Sequence, residues 1–376
     1  MAKNLLQQHF PMLQTRAEVE KLIYASPTLR TIFLSWSEER QKEFLDFCTG
    51  ERGVKILYDS FFKEIFNPET TPERLEELLS LIMKQPVKIL QVLPNDSTRL
   101  ADEKSLLETD IIVELADHSL ANIEVQKLGY MFPGQRSACY SADLLLRQYK
   151  RARSRMQKKF SYKNIQRAYT IIFFERSTEE FHQFPTDYLH YFTQKSNTGL
   201  KLNLLQEYYF VPLDIFRENI QNKGIQTKLD AWLTFLTSDD PEMIMELIQT
   251  FPEFKPLYED IYELCRNIEG VMNMFSKELL QLDRNTVQYM IDEMQDEIDA
   301  SKKKLEEQSQ QLSEKDCQLS VQSQQLSAQE QLIKQQNLEK QLYAKLNEEG
   351  RHAELGRAFS DIAFREQLLK EYSLNI

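Results

Sequence analysis

Two acids and an amide punctuate the apolar stretch 109-TDIIVELADHSLANIEVQK-127: Asp110, Glu124 and Gln126. Carboxylates brought together can hold a hard divalent cation, which takes one or two carboxylates plus water and phosphate oxygens. The stretch reads as an antiparallel hairpin turning near Asp117-His118-Ser119. A symmetric register then pairs Ile112 with Glu124 and Asp110 with Gln126. Strand side chains alternate faces, so Ile111, Val113, Leu115, Ala121, Ile123 and Val125 form an apolar face. Asp110, Ile112, Glu114, Asn122, Glu124 and Gln126 form the other, and only Ile112 there is apolar.

On that face Asp110 and Glu124 are diagonal neighbours, ~7–8 Å apart at the backbone. They repel unless a cation sits between them or water solvates them. Gln126 lies beside Glu124 and can orient a water or a phosphate, and Lys127 supplies positive charge if the strand end turns it inward. The spacing alone leaves two readings open, a metal site and the wet outer face of an ordinary amphipathic hairpin.

The flanking sequence must position this hairpin. Residues 1–50 read as short helices, the last of them starting at Ser37 and stopping at Gly50. Residues 58–85 read as two helices split at Asn67-Pro68, with Pro72 in the first turn of the second. Strands are expected at Val87–Leu93, at 109–115 and 121–127, at 168-AYTIIFFE-175 and at 204-LLQEYYFVPLDIF-216, with a basic helix over 134–159. Helical spacing returns over 225–282, broken at Asp239-Asp240-Pro241 and around Pro252 and Pro256. From 285 to 346 an apolar residue recurs every seventh position: Ile291, Ile298, Leu305, Leu312, Leu319, Leu326 and Ile333. That is a heptad signal, but a thin one, because the companion core position is mostly Gln, Lys or Ser. It fits a weak self-associating coiled coil or a solvated arm. His352–Ile376 reads as one short amphipathic helix. The segments are 1–50, a core at 51–220, a helical extension at 221–284, the heptad helix at 285–346 and a tail at 347–376.

Bulk composition excludes several classes. No GxGxxG or GxxxxGK[ST] occurs among only 9 glycines, which removes the phosphate-cradling loops. Cys48, Cys139, Cys265 and Cys317 are too scattered for a disulfide frame or a zinc site. The N-terminus lacks the long apolar run of a signal peptide, and no run approaches the ~18 apolar residues that span a bilayer. A cytoplasmic protein without a membrane partner is the expectation. The net charge of −12 disfavours simple coating of nucleic acid, but its distribution is uneven. Leu144 to Phe174 holds no acid and carries Arg147, Lys150, Arg151, Arg153, Arg155, Lys158, Lys159, Lys163 and Arg167. Such a block can neutralise phosphates. Tyr149, Phe160 and Tyr162, interleaved with it, suit either base stacking or packing.

Taken in order, 58-YDSFFKEIF-66, K-x-x-L-x-x-D-I-x-V at Lys104 to Val113, I-E-V-Q-K at 123–127, and Arg136 and Tyr140 followed by Gln148-Tyr149 resemble the PD-(D/E)XK nuclease family transposases, which include the recombination-promoting nucleases (Rpn). The resemblance covers about residues 50 to 265, and 228-KLDAWLTFLTSDDP-241 fits the same pattern. It implies an α/β fold: a restriction-endonuclease-like core, a mixed sheet flanked by helices, here with helical additions and a long C-terminal coiled-coil-like helix. It further implies a Mg²⁺- or Mn²⁺-dependent endodeoxyribonuclease that hydrolyses DNA phosphodiesters, with Asp110 and Glu124 as metal ligands. Gln126 stands where the wider superfamily has Lys, so Lys127 or Lys63 is left to activate the water. Arg136 and Tyr140, one helical turn apart, would contact phosphate or brace the site. Together with Arg147, Lys150, Arg151, Arg153, Arg155, Lys158 and Lys159 they make the expected DNA-contacting set. Two rivals stand beside this reading: a non-catalytic relative that binds DNA, and an interaction protein that oligomerises through residues 285–346.

Overall fold

The computed structural model describes residues 3–94, 111–127 and 133–374, with backbone alone at 283–289, 291–293 and 296. The chain forms two compact units, Met1–Glu293 and Met294–Ile376. No helix among the described residues is long and apolar enough to cross a membrane.

The first unit opens with α1 (Leu5–His9), α2 (Arg16–Ala25), α3 (Pro27–Ser35) and α4 (Glu38–Thr49). Ser37 caps α4 by accepting from the Arg40 N–H at 3.4 Å. Gly50 ends it in the left-handed region at φ 71°, where a Cβ would lie 2.6 Å from the Leu13 side chain. Then come α5 (Asp59–Ile65) and α6 (Pro72–Met83), separated at Asn67-Pro68 as the sequence predicts.

The sheet is built from β1 (Ile89–Leu93), β2 (Ile111–Leu115) and β3 (Leu120–Gln126), then α7 (Pro133–Met156), β4 (Ala168–Phe174), α8 (Glu179–His182), β5 (His190–Thr193) and β6 (Gln206–Pro212). Its order is β1-β2-β3-β4-β6-β5. The pairs β1/β2, β2/β3 and β5/β6 are antiparallel, while β3/β4 and β4/β6 are parallel. This is the mixed sheet flanked by helices that the resemblance implies. β4 is buried along its whole length, as a central parallel strand should be. β5 escaped the sequence reading because it is a short, largely exposed edge strand without clean alternation. The strand expected over 204–216 is shorter: Leu213 starts α9 (Leu213–Lys223), and the side chains of Leu213 and Phe216 turn into the core as helix residues.

The hairpin register differs from the symmetric one. Ile112 pairs with Asn122, not Glu124, and Ile111 pairs with Ile123. The turn sets this. His118 takes φ 65°, its N–H reaches the Leu115 carbonyl at 2.8 Å, and the Leu115 N–H reaches the Ser119 carbonyl at 2.9 Å. A three-residue loop ending in a left-handed residue centres on Asp117 rather than His118. The shift is two residues, and side chains alternate with period two, so both faces keep the predicted membership.

The apolar face, with Ile111, Val113, Leu115, Ala121 and Ile123, packs into the main core. That core also takes residues of α4 to α6 and of α9, α10 (Lys228–Thr237), α11 (Pro241–Thr250), α12 (Lys255–Cys265) and the start of α13 (Ile268–Glu348). The opposite face carries α7, whose Ser137, Tyr140, Ser141, Leu144, Gln148 and Ala152 form one buried stripe at three- and four-residue spacing.

In the second unit the remainder of α13 is followed by two helices where the sequence reading gave one, α14 (His352–Ser360) and α15 (Ile362–Glu371). Asp361 ends the first and caps the second, accepting from the Phe364 N–H at 3.0 Å. Leu342, Leu346, Ala358 and Leu368 form a small core there.

Candidate active site

The polar face of the hairpin is not wet. Glu114, Asn122, Glu124 and Gln126 are all buried beneath α7. The same face carries two small apolar clusters, one around Ile112, Leu120, Leu144 and Ala168, the other around Ile172, Phe174 and Phe210. A carboxylate in that place needs partners, because burial of an unpaired charge is costly.

Glu124 is 3% exposed. The side-chain amides of Asn122 and Gln126 donate to its two oxygens, each at 3.4 Å. Arg136, at the start of α7, holds a guanidinium nitrogen 3.9 Å from Glu124 Oε1. Its Nε also donates to the Tyr140 hydroxyl at 3.0 Å, and that hydroxyl is hydrogen-bonded to Glu124. Arg136 and Tyr140 are one turn apart, which aims both at one carboxylate. Burial pushes the Glu124 carboxyl above its ordinary value. The Arg136 charge and the bonds from Tyr140, Gln126 and Asn122 oppose that shift without cancelling it. Burial, then the facing carboxylate, pushes the Tyr140 phenol up, so it stays a proton donor.

Three buried oxygens on this face have no hydrogen-bond partner among the described residues: Asn122 Oδ1, Gln126 Oε1 and Thr170 Oγ1. Thr170 pairs with Asn122 across β3 and β4. An orphaned buried acceptor costs about 1–3 kcal/mol, and water or a cation relieves it. A carboxylate beside uncommitted amide oxygens is the oxygen donor set a hard divalent cation takes. Asp110 lies outside the described residues, as does Lys104. Among the described residues no three of His, Cys, Asp or Glu converge.

The other candidates are distributed differently. Lys127 is also buried, but it faces the main core, against the Glu278 carboxylate of α13 and 4.3 Å from the centre of the Tyr58 ring. Lys63 pairs with Asp59 along α5 at 2.8 Å. The structure therefore gathers Glu124, Gln126, Arg136 and Tyr140 and directs Lys127 to the opposite side of the sheet.

The basic block is also divided. Arg147 donates to Asp143 at 2.7 Å and to the Pro94 carbonyl at 2.9 Å. Arg151 and Arg155 both bond Glu114, Arg155 at 2.9 Å. Arg167 pairs with Glu207 at 3.0 Å. Lys150, Arg153, Lys158, Lys159 and Lys163 are exposed and pair with no carboxylate among the described residues.

Glu114 is the residue the sequence reading passed over. It sits 1% exposed between Gln91, His118, Arg151 and Arg155 and ties β1, β2 and α7 together. The available signal was its place on the polar face, but its partners lie far along the chain. Burial raises its pKa, yet hydrogen bonds from Arg155, Gln91, His118 and Arg151 outweigh burial and hold it at about 2. A depressed carboxylate stabilises the fold above its unfolded value near ~4.3 and loses that contribution as pH falls toward the folded value. Glu114→Gln should cost about 2 kcal/mol at neutral pH, with the part-exposed arginines keeping the loss below that of a fully buried pair. In urea titrations the gap to wild type should close as pH drops from about 4.3 to 2. A gap independent of pH would show that packing, not charge, is lost.

Residues 56–300 match the sequence model of the PD-(D/E)XK nuclease family transposases, and the chain belongs to that family. No curated protein and no solved structure was found to match it.

Proposed function

We propose that this member of the PD-(D/E)XK nuclease family transposases is a metal-dependent DNA endonuclease, with Glu124 and Asp110 as the ligands of a Mg²⁺ or Mn²⁺ ion. The observation that carries the reading is the buried Glu124 carboxylate, braced by Tyr140 and Arg136 beside the orphaned Gln126 oxygen. Asp110 immediately precedes β2 in the sequence. A divalent ion, when bound, polarises the phosphoryl oxygen and lowers the pKa of a water.

The protein's own groups supply position and charge. Glu124 offers an anionic oxygen from a rigid central strand. Tyr140 fixes the carboxylate's orientation by a hydrogen bond, the kind of outer contact that orients ligands in metal sites. Arg136 offsets the buried charge and faces any phosphate that enters. Gln126 donates to Glu124 through its nitrogen and keeps its oxygen for a water or a cation. Supercoiled plasmid with purified protein tests the reading, in Mg²⁺, in Mn²⁺ and in EDTA. Nicking only with metal is the expected result. Intact plasmid throughout, with DNA still bound, would make this a non-catalytic relative.

A second reading concerns association. Ile298, Leu305, Leu312, Leu319, Leu326 and Ile333 are 48–67% exposed along the heptad stripe. A second copy of the same helix would cover each of them at matching height. Light scattering of the full chain should give a dimer or higher species, and Leu312→Glu with Leu319→Glu should return a monomer. A monomeric wild type would leave the stripe a solvated arm.

A further inference from the structure

Beyond Arg136 and Tyr140, Tyr149 near the end of α7 and Phe160 and Tyr162 just after it form an aromatic group that the proposed active site does not use. Tyr149 and Tyr162 lie nearly parallel, with centroids 6.3 Å apart and planes 20° apart, and Phe160 packs against both at 5.5 Å. None of the three belongs to a hydrophobic core cluster, and Tyr162 is 75% exposed. Burial therefore does not account for Tyr162. Arg153 lies over the Tyr149 ring, 5.7 Å from its centre, and bonds its hydroxyl. Interleaved with the rings along the chain are Lys150, Arg153, Lys158, Lys159 and Lys163, exposed cations that pair with no carboxylate among the described residues. In a chain of net charge −12, this cluster draws anions to one place.

We propose that Tyr149, Phe160 and Tyr162, with these cations, form a separate binding site for single-stranded nucleic acid. Exposed rings beside a basic surface stack on unpaired bases while the cations track the phosphates. A duplex keeps its bases stacked on one another and has none to offer a ring lying on a surface. The site is distinct from Glu124. Tyr149 follows Tyr140 by nine residues of one helix, which is ~14 Å along its axis and two and a half turns around it. Tyr140 is buried against the sheet, whereas Tyr149 is half-buried at the flank of that stripe, beside the exposed Lys150 and Arg153. The inference rests on the nuclease reading only for its purpose, which is to hold a displaced or unpaired strand while the carboxylate site acts elsewhere.

The test is fluorescence anisotropy in EDTA with the full chain, using labelled oligo(dT), oligo(rU) and a blunt duplex of equal length. Wild type should bind both single strands more tightly than the duplex, with affinity falling between ~50 and ~200 mM salt. Tyr162→Ala should weaken single-strand binding about tenfold, and Tyr162→Phe should keep it. Lys158→Glu with Lys159→Glu should lower both affinity and salt slope. Because Tyr162 is exposed, an unchanged urea midpoint confirms that the variants fold. Equal affinity for duplex and single strand, or indifference to Tyr162→Ala, overturns the proposal. So does binding of anionic lipid vesicles without binding of oligonucleotides. Plasmid nicking is scored separately: single-strand binding that depends on Tyr162 in a protein that never nicks would sink the nuclease and keep this site.

Discussion

Glu124→Gln should abolish metal-dependent nicking, by at least about 10³-fold, and leave the fold intact. Metal stabilisation of developing charge is worth several kcal/mol, and each ~1.4 kcal/mol is a factor of ten. Gln has the shape of Glu but not its charge, and it can still accept from Asn122 and from Tyr140. Stability should not fall. Burial raises the folded Glu124 pKa, so the charged form is a burden on the fold above the ordinary carboxylate range, and an uncharged residue removes that burden. Tyr140→Phe removes only the orienting hydroxyl and should cost about 10–100-fold. Plasmid nicking beside urea titration reads both variants. Normal nicking by a folded Glu124→Gln protein would reduce Glu124 to a structural group.

Glu278→Ala should produce the largest loss of stability, about 3–5 kcal/mol. Glu278 is 1% exposed, faces Lys127 and accepts the Asp59 N–H at 2.8 Å. Its removal takes the facing carboxylate away from a buried ammonium, and burying a charge is costly unless it is paired. The double variant Lys127→Met with Glu278→Leu should recover most of that loss, because exchanging a buried pair for apolar groups is often neutral. The double variant also separates two roles for Lys127. Its position on the apolar face predicts that the double variant still nicks plasmid. A folded but inactive double variant would assign Lys127 to the chemistry instead. A cost for Glu278→Ala alone below about 1 kcal/mol would mean that water already reaches the pair.

A chain without a glycine-rich loop or a histidine–cysteine cluster still matches the family, and the pattern read from its sequence rests on strand positions. Glu124 and Gln126 fall on one face because strand side chains alternate with period two, a rule each residue obeys locally. Even the mistaken register kept that face, since it slipped by two. The helix over 133–156, the stop at Gly50 and the entry at Pro72 were equally local, set by spacing, by a left-handed φ and by a proline's fixed φ. The sequence by itself thus determined most of the elements, though not β5, the start of α9 or the break between α14 and α15, and it determined which hairpin residues share a face.

What covered those faces was decided only by the tertiary structure. The parallel pairing of β3 with β4 requires a crossover, and α7 is that crossover, so it lands on the polar side and buries Glu114 and Glu124. The same packing spends Arg147, Arg151 and Arg155 on internal partners and leaves Lys150, Arg153, Lys158 and Lys159 outside, a division that a uniform run of basic residues does not announce. Lys127 was likewise decided at long range, by Glu278 on a helix 151 positions later in the chain. Charge partners separated by so many residues meet only after the sheet and its helices have assembled, and no local periodicity encodes them.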